Sequence, residues 1–529
     1  MSAQLLAALG RAACYPHPVC RTRLIQTHIS WVLLTGNYAY KIKKPVDLGF
    51  LDFTTLAARR HYCEEELRLN RRLAPELYLE VVPITGTPGK PVIGGTGAAI
   101  EYAVKMKEFA QSALLDNAIA CDEIKPADIK TLARTIADFH ARLVPDSARA
   151  GDPDISVLPP ARENFEQMLQ LPDAAGDSAA LSSIRDWTLR EYGAHSALFE
   201  QRHAEGFVRE CHGDLHLGNI ALIDGAAMPF DCLEFNPALR WMDVMSEVAF
   251  LMMDLAAHGR RDLAFAFVNT YLEAGGDYAG VRLLPFYLVY RAVVRAKINL
   301  MRAAQDGMAP EQRDHALAGY RRYLALAALR ARDCRGAVVI THGLSGSGKT
   351  TLTGRISSEL GAIRVRSDIE RKRLRGLPAP ARTSSGVGKG MYTDDETVLT
   401  YDRLLAHARV IAGAGFPVIV DATFLQRAQR DAFHGLALEL GLPFAIVNVT
   451  ADAAELRARV AARAARENDA SEATLPVLDM QIANREPLTA DEMPFVIDVR
   501  SSEAAAARAL CDALMQRVGS ISMEARATA

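Results

Sequence analysis

Apolar and polar positions along the chain change their period twice. Residues 28–43 read as a hairpin: HISWVLL is β-branched and aromatic, Thr35-Gly36-Asn37 forms a turn, and YAYKIK alternates. Residues 55–73 place apolar side chains at helical spacing and stop before Pro75. YLEVVPIT and AAIEYAVKM, on either side of the Gly-rich turn at 94–97, read as two further strands. Residues 1–108 therefore predict a small sheet with one helix. From about 125 to 330 the spacing is helical, with one interruption at 211–237, CHGDLHLGNIALIDGAAMPFDCLEFNP, which holds a loop, short strand-like pieces and several carboxylates. Beyond 333 apolar strands (AVVITHG, AIRVRS, FPVIVDATF, PFAIVNVT) alternate with helices, the signature of a parallel α/β sheet. The pattern divides the chain at 1–108, 109–332 and 333–529.

A length of 529 residues calls for roughly two to four folded units. Half the residues are apolar and 23% charged, which excludes a disordered chain, a collagen or a small disulfide scaffold. With 61 Lys+Arg against 63 Asp+Glu, the chain is not a bulk nucleic-acid binder. Eight cysteines, none in a C-x-x-C pair, point to a reducing compartment. Cys14 and Cys20 flank His17, and a loop with two buried thiols is expected there in preference to a zinc site. Met1 to Gly10 lacks the basic start and cleavage site of a signal peptide. Val244 to Ala257 is too short, and too interrupted by Glu247 and Asp254, to span a bilayer. A soluble cytoplasmic protein without a membrane partner is expected; its oligomeric state is not written in the sequence.

Gly343-Leu-Ser-Gly-Ser-Gly-Lys349-Thr350 fits G-x-x-x-x-G-K-[ST] and lies between a predicted strand and a predicted helix. Its glycines let backbone N–H groups converge on phosphate oxygens, and the helix N-terminus adds positive potential. The nucleotide-binding set is Gly343, Ser345, Gly346, Ser347, Gly348, Lys349, Thr350 and Thr351. Lys349 would reach the β/γ-phosphates and Thr350 would ligate Mg²⁺, with Asp421 at the end of an apolar strand as the acidic metal partner or, alternatively, a helix cap.

Ser367-Asp368-Ile369-Glu370-Arg371 follows. Asp368 at a strand tip could accept the proton of an attacking hydroxyl, while Ser367 with Glu370 could form a capping box. Six basic residues lie in 364–375, and they read either as a solvated helix face or as a bed for an anionic acceptor with Arg371 nearest the chemistry. Arg459 and Arg463, four apart, suggest either a lid that neutralises the moving phosphoryl group or an amphipathic surface helix. On these motifs, residues 336–500 resemble the small P-loop kinases of metabolites and nucleic-acid ends, among them polynucleotide kinase, gluconate kinase, chloramphenicol phosphotransferase and zeta-toxin-like enzymes. In that group the Asp matching Asp368 often activates the acceptor hydroxyl.

His212-Gly213-Asp214-Leu-His-Leu-Gly-Asn219 has the spacing H-x-D-x-x-x-x-N, and Asp231 stands 17 residues after Asp214. Phosphoryl transfer to a hydroxyl wants a carboxylate base and two oxygen ligands for Mg²⁺, which Asp214, Asn219 and Asp231 could supply in that order. Upstream, Tyr38-Ala39-Tyr40-Lys41 is similar to the V-A-I-K strand of kinases. Lys41 would bind the α/β-phosphates and pair with Glu66, or with Glu65 if the register shifts. Met106 to Phe109 would form the hinge that meets adenine. This half, about 28–330, resembles the aminoglycoside phosphotransferase branch of the protein-kinase-like fold, and Arg240 and Asp243 look like that family's structural pair. The hairpin turn holds one glycine, Gly36, where protein kinases have G-x-G-x-x-G, a departure that weighs against protein-kinase activity.

Together the halves resemble predicted bacterial fusions of an aminoglycoside-phosphotransferase-like domain with a P-loop kinase-like domain. The fold expected is an N-terminal α+β protein-kinase-like bilobal domain followed by an α/β P-loop NTPase with a parallel sheet. The function expected is a bifunctional ATP- and Mg²⁺-dependent phosphotransferase acting on a small-molecule hydroxyl. A nucleic-acid end is the less favoured acceptor. The alternatives are one active kinase beside a nucleotide-sensing domain, and a toxin-like or scaffold protein that binds ATP without useful turnover.

Overall fold

In the computed structural model the N-terminal strands form an antiparallel sheet in the order β1-β2-β3-β6-β4-β5. They are β1 (Arg23–Gln26), β2 (Ser30–Leu34), β3 (Tyr38–Lys43), β4 (Tyr78–Thr87), β5 (Lys90–Ile93) and β6 (Glu101–Lys107). Helix α1 (Ala3–Leu9) packs with Tyr40, Ile42 and Ile84 on one face of the sheet. On the other face Ala39, Val104 and Met106 pack with Cys63 of α2 (Leu56–Asn70), which starts where Thr55 Oγ1 accepts the Ala58 N–H. Alternation along β3 thus sends Tyr40 and Ile42 to one core, and Ala39, Lys41 and Lys43 toward α2.

The hydrophobic pattern missed β1 and β5. Three of the four residues of β1 are exposed, so it carries no apolar alternation. The first hairpin is therefore β1–β2, whose turn, Thr27-His28-Ile29, has no glycine, and Gly36 belongs to the β2–β3 turn. There the N–H groups of Thr35 and Gly36 both donate to Glu108 Oε2, at 2.8 and 2.7 Å. His17 does not meet a thiol pair: its Nε2 lies 3.0 Å from Tyr40 Oη, with Cys14 buried and Cys20 exposed.

The chain then turns helical with α3 (Leu115–Ala120), α4 (Pro126–Arg142), α5 (Leu158–Leu169) and α6 (Ser178–Ala204). The interruption at 211–237 is framed by β7 (Val208–Glu210) and contains the hairpin of β8 (Ile220–Ile223) and β9 (Ala226–Pro229). After it come α7 (Pro237–Arg240), β10 (Trp241–Asp243), α8 (Val244–Ala257), α9 (Arg261–Gly275), α10 (Leu284–Ala303) and α11 (Pro310–Arg330).

A five-stranded parallel sheet follows, in the order β12-β13-β11-β14-β15, from β11 (Ala337–His342), β12 (Ile363–Arg366), β13 (Pro417–Asp421), β14 (Phe444–Val449) and β15 (Val496–Val499). Helices α12 (Lys349–Leu360), α13 (Ser367–Leu374), α14 (Asp394–Gly413), α15 (Arg427–Leu440), α16 (Ala453–Ala464), α17 (Leu475–Asn484) and α18 (Ala504–Val518) connect and cover it. Leu352 and Ile356 of α12 meet Leu510 and Leu514 of α18 in its core. The architecture is an α+β kinase-like fold followed by an α/β P-loop fold.

The structure describes residues 3–47, 49, 51–146, 156–332, 336–378, 381, 394–464, 473–500 and 504–518, so the expected boundary at 333 falls outside the described residues. The chain forms two compact units: residues 1–157 with 196–251, and residues 158–195 with 252–529. The first holds the antiparallel sheet and the H-G-D loop. The second holds the P-loop sheet together with α5 and α9 to α11. Among the described residues no helix is long and apolar enough to cross a membrane.

Two candidate phosphoryl-transfer sites

In the first unit, Lys41 and Lys43 leave β3 on the face that α2 covers. Lys41 Nζ lies 2.8 Å from Glu66 Oε1 and also pairs with Asp231, while Lys43 pairs with the other oxygen of Glu66 and with Glu234. Glu65 is turned away, to Arg68 at 2.8 Å and Arg240 at 3.4 Å. Burial alone would lower the Lys41 ammonium and raise the Glu66 carboxyl. The surrounding opposite charges outweigh it, holding Lys41 well above its ordinary value and bringing Glu66 down to about 2. Glu234 is raised, chiefly by burial. Two ammonium groups thus face three carboxylates, and the surplus negative charge can sit on Asp231, whose side chain is 38% exposed. An oxygen donor with that surplus suits a divalent cation.

The hairpin β8–β9 explains how Asn219 and Asp231 come together. Ile220 pairs with Pro229 in the ladder, and Phe230 N–H donates to Asn219 O at 2.9 Å, so the residues flanking the hairpin lie side by side. Asn219 Nδ2 donates to Asp214 O and Oδ2 at 3.0 and 2.9 Å, leaving its Oδ1 as the group available to a metal. Asp231 takes a left-handed backbone, φ 61°, and its N–H donates to Tyr78 Oη at 3.1 Å. Beneath this loop the Glu247 carboxylate accepts from Gly213 N–H at 2.8 Å and meets His140 Nε2 at 2.8 Å. Gly213 is required there: its φ is 91°, and a Cβ would stand 3.0 Å from Leu233 Cβ and 3.1 Å from Arg240 Cβ. The ring of His212, pushed toward the neutral form by burial, reaches Phe230 O at 2.9 Å. Met106 is buried in β6, Glu108 holds the Gly36 turn, and the Phe109 ring lies 5.2 Å from that of Phe230.

Arg240 and Asp243 do not pair with each other. α7 ends at Arg240 and Asp243 follows in extended chain, so they are not one helical turn apart. Arg240 Nε instead binds Glu210 Oε1 at 3.0 Å, and Asp243 forms a buried two-point pair with Arg202 at 2.7 and 2.8 Å. Sequence reasoning also missed Glu234 and Lys43 as members of the charge network. Nothing local marks Glu234 as the partner of Lys43, since the two stand 191 residues apart.

In the second unit the turn after β11 reverses tightly. Gly343, Gly346 and Gly348 all take positive φ, 145°, 86° and 98°. A Cβ on Gly343 would stand 2.4 Å from Val449 O, and one on Gly346 would stand 3.0 Å from Val460 Cγ2. Lys349 Nζ folds back onto Gly343 O and Leu344 O, 2.8 Å from each, and Ser347 Oγ is buried without a hydrogen-bond partner among the described residues. A cradle closed to any side chain, with a buried hydroxyl awaiting an acceptor or donor, fits a bound polyphosphate. Ser345 N–H donates to Gln481 Oε1 of α17 at 2.9 Å. Asp421, buried at the end of β13, accepts from Thr353 Oγ1 at 3.0 Å, one helical turn from Thr350. It caps no helix of its own, since α15 begins only at Arg427. Thr350 and Thr351 are exposed on the first turn of α12. Arg459 Nη1 approaches Gly346 O at 3.5 Å and Arg459 pairs with Glu455 at 2.5 Å, whereas the side chain of Arg463 lies outside the described residues.

The acceptor side corrects one expectation. The capping box does not form: Ser367 is the first helical residue, the N-cap position falls on Arg366, and the buried Glu370 binds Arg403 at 2.8 Å, His407 at 3.1 Å and Arg373. The basic run is largely paired within the chain. Arg364 and Arg366 meet Glu273 at 2.6 and 3.7 Å, Arg373 meets Glu370, Arg375 meets Glu396 at 2.7 Å, and Lys372 is buried. Asp368 stands at the tip of β12, in the first turn of α13, and is partly exposed. Both Asp368 and Arg371 act electrostatically on the Tyr401 phenol, which burial raises and which accepts the Phe424 N–H at 3.0 Å.

Residues 338–488 match the family model of an AAA domain. The chain is 30% identical over 464 residues to the Mycobacterium tuberculosis protein Rv2004c, covering 87% of this chain and 90% of the relative. Among solved structures, the amicoumacin kinase hAmiN in complex with AMP-PNP, Ca²⁺ and Ami is 12% identical, covers 61% of this chain and 94% of its own, and has a TM-score of 0.38. A sugar kinase from Janibacter sp. HTCC2649 is 21% identical, covers 35% of this chain and 94% of its own, and has a TM-score of 0.25.

Proposed function

We propose that the chain, which belongs to the family of that mycobacterial relative, is a fusion of an aminoglycoside-phosphotransferase-like domain with a P-loop kinase-like domain and acts as a bifunctional ATP-dependent phosphotransferase. Each centre transfers the γ-phosphoryl group of Mg·ATP to a hydroxyl of a small molecule. What supports this reading is the residue set at each site, a lysine set for phosphate with a carboxylate from a separate segment: Lys41, linked through Asp231 and Asn219 to Asp214, and Lys349 with Asp368 at the tip of β12. A protein that only senses or stores nucleotide has no use for either carboxylate.

At the first centre Lys41, oriented by Glu66, binds the α/β-phosphates, Asn219 and Asp231 hold the metal, and Asp214 takes the hydroxyl proton. At the second, the amides of 343–350 and Lys349 hold the phosphates, Thr350 and Asp421 hold the metal directly or through water, and Asp368 takes the hydroxyl proton. Arg371 binds a single charge on the acceptor, and Arg459 and Arg463 approach the phosphates from α16. Bound Mg²⁺ supplies neutralisation of charge on the β- and γ-oxygens. Because four of the six basic residues of 364–375 are spent on carboxylates of this chain, the acceptor is a small hydroxyl compound of low charge, and a nucleic-acid end is disfavoured. We further propose a sheet lobe over 1–108, a helical lobe over 109–332 and a P-loop domain over 333–529, with α5 and α9 to α11 of the middle span packed in the same compact unit as the P-loop sheet, and we place the protein in the cytoplasm.

The test is a labelled-ATP screen of small alcohols, sugars and aminoglycosides with the full chain, followed by single changes. Asp368→Asn should keep Mg·ATP binding and lower transfer from the second centre by about 10²–10⁴. Lys349→Ala should weaken nucleotide binding or turnover there by about 10². Parent-level transfer by both variants would remove the P-loop centre from the proposal.

A further inference from the structure

The P-loop sheet has an edge strand, β12, and that strand ends one residue before Ser367-Asp368. An open strand edge presents unpaired N–H and C=O groups. Here the edge is met by one side chain of α9. Asn269, only 6% exposed, donates Nδ2–H to Ala362 O at 2.9 Å and accepts from Arg364 N–H at Oδ1, at 2.7 Å. Its carboxamide makes the two hydrogen bonds that the peptide group of a further strand would make.

One turn along the same helix, Glu273 takes the side chains that β12 sends outward: Arg364 Nη2 at 2.6 Å and Nε at 3.1 Å, with Arg366 at 3.7 Å. The carbonyl of Glu273 accepts from Arg373 Nη2 of α13 at 2.6 Å. That guanidinium passes over Gly276, the left-handed cap of α9, where a Cβ would stand 2.6 Å from Arg373 Nε. Tyr278 Oη donates to Arg364 O at 3.3 Å, and its ring lies 4.6 Å from that of His407, a partner of Glu370. The strand before Asp368 and the helix after it are thus both fastened to α9 and the turn that follows it.

We propose that Asn269 and Glu273 are positioning residues for phosphoryl transfer at the P-loop centre: they fix β12 and α13, and so set where Asp368 stands relative to the phosphate loop. The proposal rests on the reading of Asp368 as the base of that centre. Neither residue touches nucleotide or acceptor. Asn269 holds only the backbone of β12, so its loss acts on the step after ATP has bound, because the phosphate loop hangs from β11, two strands away. Glu273 also steers Arg364, whose Nη1 donates to Thr350 O at 3.2 Å and Thr353 Oγ1 at 3.4 Å, so its loss reaches the first turn of α12 as well. A displacement of the base by about 1 Å is enough to cost about 10²-fold in rate.

The experiment uses the full chain carrying Asp214→Asn, so that ADP release reports the P-loop centre, with Mg·ATP as the only substrate and water in the acceptor's place. Asn269→Leu keeps the volume and loses both hydrogen bonds, Asn269→Asp keeps the acceptor for the Arg364 N–H, and Glu273→Gln keeps the shape without the charge. Asn269→Leu should lower kcat about tenfold or more with the KM for ATP within about twofold of the parent. Asn269→Asp should recover part of that loss, and Glu273→Gln should fall between. Hydrogen exchange on the same proteins should show residues 363–368 exchanging about tenfold faster in Asn269→Leu, with the phosphate-loop helix unchanged.

A folded Asn269→Leu with parent kcat and parent exchange over 363–368 would overturn the proposal. So would losses of kcat and nucleotide binding that run in parallel, which is what general destabilisation gives. If Asn269→Leu does not fold, Asn269→Ala, which also loses both hydrogen bonds, is judged by the same two measurements. Lys349→Ala in the same background separates the two levels. If it leaves ADP release untouched, the kinase reading of the P-loop fails. If it abolishes release while the α9 variants match the parent, only the positioning role fails.

Discussion

At the N-terminal site the lysine is held by side chains from distant stretches of chain, Glu66 and Asp231, with Lys43 and Glu234 completing the set. At the P-loop, Lys349 rests on carbonyls of its own loop, and the phosphate cradle is made of backbone within eight residues. The first arrangement stores charge in a buried network whose members hold one another; the second stores it in backbone geometry that only glycine allows. They should therefore break differently. Removing one network member strands a buried charge and unsettles the fold around it. Removing a P-loop side chain costs nucleotide handling and leaves the sheet intact.

The largest effect that would sharpen this contrast is expected at Asp214. Asp214→Asn should keep the fold and Mg·ATP binding and lower transfer from the first centre by about 10²–10⁴. Asp231→Ala should instead lose metal-dependent nucleotide binding, which titration with Mn²⁺ and an ATP analogue separates from turnover. Next comes Glu234→Gln, which leaves the buried Lys43 with Glu66 alone; a loss of about 3–5 kcal/mol is expected in urea unfolding. A loss below 1 kcal/mol would show that this network is not what holds the site.

The smallest effect concerns Glu247. Burial would raise its carboxyl, but the hydrogen bond and charge of His140, the nearby His212 ring and the Gly213 N–H bring it down to about 2. A depressed carboxyl gives stability that is present above the unfolded value, about 4.5, and lost as pH falls toward 2. Glu247→Gln should cost about 1.5–3 kcal/mol at pH 6. The difference between parent and variant should shrink across pH 4.5 to 2, measured by urea unfolding at stepped pH.

How much of this was legible in the sequence follows the same divide. The P-loop is contiguous, so its glycines, Lys349 and Thr350 could be read directly, and the H-G-D loop with Asn219 nearly so. The choice of Glu66 over Glu65 as the partner of Lys41 depended on helical register, and the structure pairs Lys41 with Glu66. The capping box at Ser367 and Glu370 was a false local signal, because the partners of Glu370 at Arg403 and His407 lie 33 and 37 residues away. The basic run looked available for the same reason: Glu273, which takes Arg364, lies 91 residues upstream. β1 has no buried position, and β5 and β15 are only four residues long, too short to announce themselves, whereas the long alternating strands were visible from their periods.

The helix that covers the β12 edge has a consequence for how the protein is made. Asn269 precedes Arg364 by 95 residues. At about 5–20 residues per second, the ribosome delivers α9 roughly 5–20 s before the strand it covers. When β12 emerges, the carboxamide that will occupy its open side is already present on the same chain. The nascent sheet then has a partner for that edge before it can find one on a neighbouring polypeptide.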